Sequence, residues 1–199
     1  MAVKFNVDTV FFDYVTVDEV DDAVELEKKA FPPDEADSPE QFRYRFTHAK
    51  QLFLGAFIPS RSSSGQMKEG RKLIGHVCGT QSPLTYYTKE SMSDHIPFSP
   101  SICIHSVCLL EPYRKKGIGS RMMREFISRV RPHPSRSSSS SKRSDVVNLI
   151  EGKPERLLLL SHGDMRRFYE RLGFMCKGKS DVVLGREVWY EMRLDLERN

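Results

Sequence analysis

The run from Ile102 to Val130, ICIHSVCLLEPYRKKGIGSRMMREFISRV, constrains this chain more than any other. It opens as an apolar strand. Glu111-Pro112 breaks that strand, because proline brings no amide donor to a ladder. Arg114-Lys115-Lys116-Gly117-Ile118-Gly119 then leads into an amphipathic helix. A helix N-terminus offers unpaired amides and partial positive charge, so a phosphate settles there. Gly117 and Gly119 remove the side chains that would hold a pyrophosphate off the backbone. A basic turn ending in glycine also reads, more simply, as a solvated helix start. The spacing is neither GxGxxG nor GxxxxGK(S/T), which argues against a dinucleotide fold and an NTPase.

The preceding segments read β, α, α, β, β. Val10 to Val15 is a strand entering a helix: Thr16 and Glu19 form a capping box, and Val15 staples onto Val20. Val20, Ala23, Val24 and Leu26 follow a helical stripe that Pro32-Pro33 ends. Ser38 caps a second helix, with Pro39 at its first position, Gln41 completing a box, and Phe42, Phe46 and Ala49 on one face. The loop between, FPPDEADS, is either a solvated connection or an aromatic and acidic lip for a cation. Strands follow at 52–58 and 72–80, in hairpin register around a polar tip. Residues 82–100 read as irregular, with a helical turn near Glu90.

After the 117–130 helix, a Ser/Arg-rich tract is too polar to order itself. A buried strand comes next at 157–161. A short helix then carries Met165, Phe168, Tyr169 and Leu172, with Gly173 as its left-handed cap. The closing hairpin is expected to pair Asp181–Leu184 with VWYEMRLDL across a turn at Gly185-Arg186. The order β-α-α-β-β-β-α-β-α-β-β predicts an α/β fold: a mixed sheet, helices on both faces, one parallel pair. A single domain over 1–199 is expected, with low-complexity inserts at about 59–71 and 132–155.

A net charge of +4 suits an anionic ligand, though a solvated Lys/Arg surface gives the same number. The four cysteines show no CxxC or Cys/His metal spacing, so buried free thiols, a reducing compartment and no metal are expected. No signal-like apolar core opens the sequence, and no window is apolar for the ~20 residues of a membrane span. The expectation is a soluble cytoplasmic monomer without membrane or nucleic-acid partners. Residues 135–144 leave an RNA-associated binding protein as the reading from a different class.

RxxGxG between a buried strand and an amphipathic helix resembles the acetyl-CoA loop of the Gcn5-related N-acetyltransferase (GNAT) superfamily. The runs AF (30–31), QLFLGAF (51–57), LIGHVCGT (73–80), YYTKESM (86–92), IHSVCLLEPYRKKGIGS (104–120) and FYERLGF (168–174) occur in that order. Together they resemble the arylalkylamine (serotonin) N-acetyltransferases, in particular the branch with an FPPDEA-type loop and polyamine-acetylating relatives. The resemblance implies a GNAT fold of about seven strands splayed at a bulge in the fourth, with acetyl-CoA as cosubstrate. It places pantetheine contacts at Val107, Cys108, Leu109 and Leu110. Pyrophosphate contacts run from Arg114, Lys115 and Lys116 through Gly117, Ile118 and Gly119 to Ser120. Further cofactor contacts fall at Ser161, Phe168 and Arg171, and the small amine meets Phe31, Pro32, Asp34 and Ser106.

A primary alkylamine titrates near pH 10.4, so on the order of one molecule in a thousand is neutral at pH 7. Removing the proton costs about 4 to 5 kcal/mol there, and a positioned base is worth having. The resemblance assigns His105 to a water-mediated relay, although a strand histidine also reads as a satisfied core residue. Cys103 stands where vertebrate relatives carry a second histidine, and a buried thiol is a poor base. In the insect branch of the resembled family a glutamate of this loop is taken as the general base, so the resemblance makes Glu35 a joint candidate. Tyr169 matches the family's general acid for the departing thiolate, although a tyrosine on an apolar helix face is also ordinary core. The Leu109 amide would polarise the thioester oxygen. Direct attack in a ternary complex follows, with Cys103 or Cys108 as nucleophile the alternative. The implied reaction is acetylation of serotonin, tryptamine, phenylethylamine or a polyamine; the runner-up is a protein lysine or N-terminal acetyltransferase.

Overall fold

The computed structural model describes residues 5–61, 67–131 and 150–196. Its strands are β1 (Phe11–Tyr14), β2 (Phe53–Arg61), β3 (Met67–Ser82), β4 (Ser101–Leu109), β5 (Arg156–His162), β6 (Met175–Lys179) and β7 (Trp189–Asp195). They form one mixed sheet in the order β1-β2-β3-β4-β5-β7-β6. The helices are α1 (Val20–Ala30), α2 (Pro39–Ala49), α3 (Lys89–Ser93), α4 (Ile118–Val130) and α5 (Arg166–Glu170). The expected order of elements is observed, and the helical turn near Glu90 is α3. Two compact units divide the chain inside β3, β4 and α4: residues 1–78 with 106–125, and 79–105 with 126–199.

In the first unit, α1 and α2 cover β2 and β3. Ala23, Val24 and Leu26 of α1 and Phe42 of α2 pack with Phe53, Phe57 and Leu73 in one buried cluster, joined by Val15 and Val20 of the staple. The box at Thr16 closes as expected, the Thr16 amide donating to Glu19 Oε2 at 2.9 Å. It caps a 3-10 turn at Val17–Glu19 that feeds α1. Ser38 Oγ accepts from the Gln41 amide at 3.1 Å, with Pro39 in the first turn. The insert expected at 59–71 is shorter than the composition suggests, because Pro59 pairs with Arg71 and Arg61 with Met67. Ladder bonds satisfy those backbone groups whatever the side chains, so the hairpin extends into the polar tract. The remaining residues of that tip, 62–66, lie outside the described residues, as do 132–149 of the second insert.

In the second unit, β4 runs parallel to β5 from Ser101↔Arg156 to Ile104↔Leu159. That register ends there, while β5 continues to His162 paired along its whole length with β7. A β5 fully buried at Leu157, Leu158 and Leu159 matches the continuous apolar run of its sequence. Gly173 adopts φ +96 after α5, the left-handed cap expected of it. Residues 150–155, expected inside the second insert, belong to this unit: the Glu155 amide donates to Pro100 O at 2.7 Å, and Gln81 Nε2 donates to Glu151 O at 2.9 Å.

The closing hairpin corrects the sequence reading. The strand opposite β7 is Met175–Lys179, with Met175↔Arg193 and Lys179↔Tyr190 and a bulge between Cys176 and Gly178. Asp181–Leu184 is the connection instead of a strand. The Ser180 amide donates to Trp189 O at 2.9 Å, and Trp189 Nε1 donates to Leu184 O at 2.8 Å, closing the loop on itself. β-Branched content alone could not separate a strand from a loop held this way.

Candidate active site

β4 ends at Leu109, and the Leu110 amide donates to Ile74 O at 2.9 Å. Gly75 lies against this end of the strand: a Cβ there would meet Cys108 O at 2.7 Å and Leu109 Cδ1 at 2.7 Å, so the approach requires glycine. In the second unit a Cβ at Gly79 would meet Cys103 O at 2.8 Å. Val107 and Leu110 are half-buried, Cys108 and Leu109 buried.

Beyond the strand, Arg114 Nε donates to Leu109 O at 2.7 Å and clamps the loop to the strand end. Lys115 and Gly117 take left-handed φ of +58 and +79. A Cβ at Gly117 would meet nothing within 4 Å, so the conformation calls for glycine and the space beside it is open. The α4 ladder begins with the Arg121 amide on Gly117 O at 3.1 Å. The amides of Ile118, Gly119 and Ser120 precede it, and Arg114, Lys115 and Lys116 are exposed beside them. This donor set fits a pyrophosphate: amides at a helix N-terminus, three cations, and room over a glycine.

Alternation along β4 sends successive side chains into two different environments. Ser106 and Cys108 point into a sealed cluster with Glu27 of α1 and His76 of β3. Ser106 Oγ donates to Glu27 Oε2 at 2.5 Å and lies 3.2 Å from His76 Nε2, which is itself 3.2 Å from Glu27 Oε2. All four residues are buried. Phe42 and Phe53 pack around the His76 ring, with centroids 5.2 and 5.6 Å away. Ser106, expected to meet the amine, is placed inward on this carboxylate. Glu27, His76 and Cys108 bring metal-ligating atoms within 4.8 Å of one another. Yet Cys108 Sγ is nearly equidistant from the two ring nitrogens, at 3.4 and 3.3 Å, which puts it over the ring face. The lone pairs lie in the ring plane, so these atoms do not converge on a common centre.

Cys103 and His105 point the other way, in the second unit. His105 is held at both ring nitrogens: Nδ1 is 2.6 Å from the Tyr87 hydroxyl and Nε2 is 2.8 Å from Thr80 Oγ1. Tyr87 Oη also reaches Ile104 O at 3.3 Å, and Thr80 Oγ1 reaches Ser91 O at 3.3 Å. Burial pushes the Cys103 thiol up to about 12. It lifts Cys78 and Cys108 as well, with Glu27 adding to the rise at Cys108. Neither Cys103 nor Cys108 supplies a thiolate near neutral pH, which argues against the acyl-cysteine alternative.

The 31–38 loop belongs to the first unit. It is a compact turn, the Glu35 and Ala36 amides both donating to Pro32 O at 3.0 and 2.9 Å. Phe31 packs against the core cluster, Pro32 and Asp34 are exposed, and Glu35 is half-buried. Asp37 does not share an acidic lip with them. It pairs with the fully buried Arg45, and burial raises its carboxyl above the usual range against the pull of that guanidinium. Tyr169 is buried in the second unit, edge-to-face with Phe168 at 5.0 Å and Phe174 at 5.8 Å. Ser161 is buried, Phe168 half-buried and Arg171 exposed in the same unit. The structure thus gathers the Val107–Ser120 cradle and the 31–35 loop in the first unit, and His105, Tyr169, Ser161, Phe168 and Arg171 in the second.

An open cavity of about 600 Å³ in the second unit is lined by Tyr86, Tyr87, Val182, Val183, Asp181 and Glu191, with Lys89 and Lys179 among the rest. The lysines are exposed at its edge, whereas Glu191 is half-buried and accepts from the Tyr87 amide on Oε2 at 3.1 Å. Thr80 and Tyr87 lie within the runs LIGHVCGT and YYTKESM, but those runs gave neither of them a role, and Glu191 lies in no such run. The one local signal was Thr88, whose hydroxyl caps α3 by accepting from the Ser91 amide at 3.1 Å and so fixes the residue before it.

Comparison with known proteins agrees with this architecture. The family described as acetyltransferase (GNAT) domain matches residues 67–176, more than half of the chain. The chain belongs to the GNAT acetyltransferase family, whose cosubstrate class the Val107–Ser120 cradle fits. Serotonin N-acetyltransferase of Mesocricetus auratus is 22% identical over 175 residues, covering 86% of this chain and 70% of the relative. The loading GNATL domain of CurA from Lyngbya majuscula superposes with a TM-score of 0.69 at 10% identity, over 94% of this chain and 98% of that one. Arabidopsis thaliana Naa50, in complex with the bisubstrate analogue CoA-Ac-MVNAL, gives 0.59 at 13% identity, over 94% and 98%. Among the described residues, no helix is long and apolar enough to cross a membrane.

Proposed function

We propose that this acetyltransferase acts on small cationic amines, arylalkylamines of the serotonin, tryptamine or phenylethylamine type, with polyamines as further acceptors. The observation that carries the reading is Tyr87, which lines the cavity and bonds His105 Nδ1 through its hydroxyl at 2.6 Å. An aromatic wall (Tyr86, Tyr87) with a half-buried carboxylate (Glu191) suits an aromatic ammonium. Exposed Asp181 leaves room for a second positive charge. The similarity to serotonin N-acetyltransferase supports the same class.

The loop after β4 would hold the cosubstrate, which supplies an activated acetyl group. The remaining chemistry is proton management. His105 and Glu35 are the groups proposed to take the amine proton through ordered water. Tyr169 is proposed to return a proton to the departing sulfur, and the Leu109 amide to face the carbonyl oxygen. Such a protein acts in the cytoplasm as a monomer needing no metal. Purified protein, acetyl-CoA and a panel of tryptamine, serotonin, phenylethylamine, spermidine and an N-terminal peptide test it by CoA release. Turnover with the aromatic amines is expected. Turnover confined to the peptide would replace this reading with a protein acetyltransferase.

A further inference from the structure

We infer that Tyr87 and Thr80 form, with His105, a reversible hydrogen-bond wire that lets the ring change protonation state without losing a partner, Tyr87 being its outer end. Each hydroxyl faces a ring nitrogen on one side and a backbone carbonyl on the other. Tyr87 Oη stands 2.6 Å from Nδ1 and 3.3 Å from Ile104 O. Thr80 Oγ1 stands 2.8 Å from Nε2 and 3.3 Å from Ser91 O. A hydroxyl has one proton to donate and can accept in return, so each can turn either way.

Three arrangements of the same heavy atoms follow. With the proton on Nε2, Tyr87 donates to Nδ1, Nε2–H donates to Thr80, and Thr80 donates to Ser91 O: three bonds. With the proton on Nδ1, that N–H donates to Tyr87, Tyr87 donates to Ile104 O, and Thr80 donates to Nε2: again three. In the imidazolium both N–H groups donate, both hydroxyls turn to their carbonyls, and four bonds form. Over these four contacts the two neutral tautomers are matched in hydrogen bonds, and the cation gains one. A ring locked by a fixed acceptor has one good tautomer; this one has two.

The direction of transfer follows from what ends the wire. Thr80 and Ser91 are buried, and the inner end closes on a carbonyl, which accepts a proton bond but passes nothing on. The outer end is Tyr87, a residue of the cavity lining whose amide is fixed by Glu191. A proton delivered to Tyr87 Oη is taken up as Tyr87 hands its own to Nδ1, which leaves a neutral tyrosine and an imidazolium. The reverse restores the ring, so no oxidant or co-reactant enters. Tyr87 and Thr80 are positioning residues for His105. Their role in turnover rests on the amine-acetylation reading above, whereas the tautomer balance does not.

The test uses the full chain with 15N-labelled histidine and no substrate, the His105 signals being assigned with His105→Ala. Tyr87→Phe removes the outer hydroxyl and keeps the ring; two bonds then remain for the Nε2–H form and one for the Nδ1–H form. Thr80→Val reverses that count. The His105 ring shifts are expected to move toward Nε2–H in the first variant and toward Nδ1–H in the second. In the acetylation assay, kcat should fall about 10- to 100-fold in Tyr87→Phe, with KM for acetyl-CoA unchanged within about twofold. Ring shifts that stay put in both variants, or move the same way, overturn the wire. Should Tyr87→Phe fail to fold, Thr80→Val carries the same decision. Opposed ring shifts together with no amine turnover would keep the wire and remove the acetylation reading.

Discussion

His76 and His105 stand on β3 and β4, and each ring has a hydroxyl within hydrogen-bond reach. Around His76 everything is closed. Glu27, Ser106 and the ring satisfy one another, Cys108 covers the ring face, and Phe42 and Phe53 exclude water. His105 is half-buried, and its two hydroxyl partners have carbonyls to turn to. The difference teaches that a bonded histidine is no sign of function by itself. What matters is whether the partners can reverse and whether one of them reaches a cavity. The sealed set holds the fold; the reversible set can move a proton.

The comparison breaks first on stability. Glu27→Ala leaves a buried imidazole and hydroxyl without their acceptor and should cost about 3 kcal/mol, read as a lower urea midpoint. His105→Ala should cost less than about 1 kcal/mol by the same measurement. Equal losses would mean that the two histidines are both structural.

Activity sharpens it next. His105→Ala is expected to lower kcat on the order of 100-fold, about 2.7 kcal/mol, with KM for acetyl-CoA unchanged. Glu35→Ala, run alongside, should also lower kcat if the carboxylate shares the proton path; a wild-type pH profile in it removes Glu35. Tyr169→Phe should lower kcat about tenfold and alter the alkaline limb of its pH profile.

The thiols provide a pH test. Cys103 titrates at about 12 when folded, above its value of about 9 when unfolded. Its stabilising effect is therefore full below pH 9 and is lost as pH rises toward 12, since only the unfolded chain can release the proton. Between pH 8 and 10 it should account for lost stability on the order of 1 kcal/mol. Cys103→Ala should flatten the urea midpoint over that range by that amount. Gly117→Ala places a side chain at φ +79 and should cost about 1 kcal/mol, with weaker acetyl-CoA binding by calorimetry.

Much of this was legible in the sequence. Val20, Ala23, Val24 and Leu26 repeat at helical spacing, and all four are buried on α1. The cradle was equally local: Pro112 stops the strand, and Gly117 must take a positive φ before α4 starts. Hydrophobic period, caps and glycine conformation act over a few residues, so a linear reading finds them. The hairpin failed for the opposite reason. Val182 and Val183 have strand composition, but Trp189 Nε1 on Leu184 O decides that they stay in a loop. Asp37 failed likewise, since nothing local shows that Arg45 will be buried beside it.

The sequence by itself thus determined the order of elements, the glycine turn before α4 and the presence of His105 on the central strand. Only the tertiary structure decided which way each residue of β4 works. Alternation turns Ser106 onto Glu27 and His76, and turns His105 onto two hydroxyls that begin as an ordinary strand threonine and a loop tyrosine. Those partners come from distant parts of the chain, and a hydrogen bond between distant residues leaves no period, cap or spacing to read.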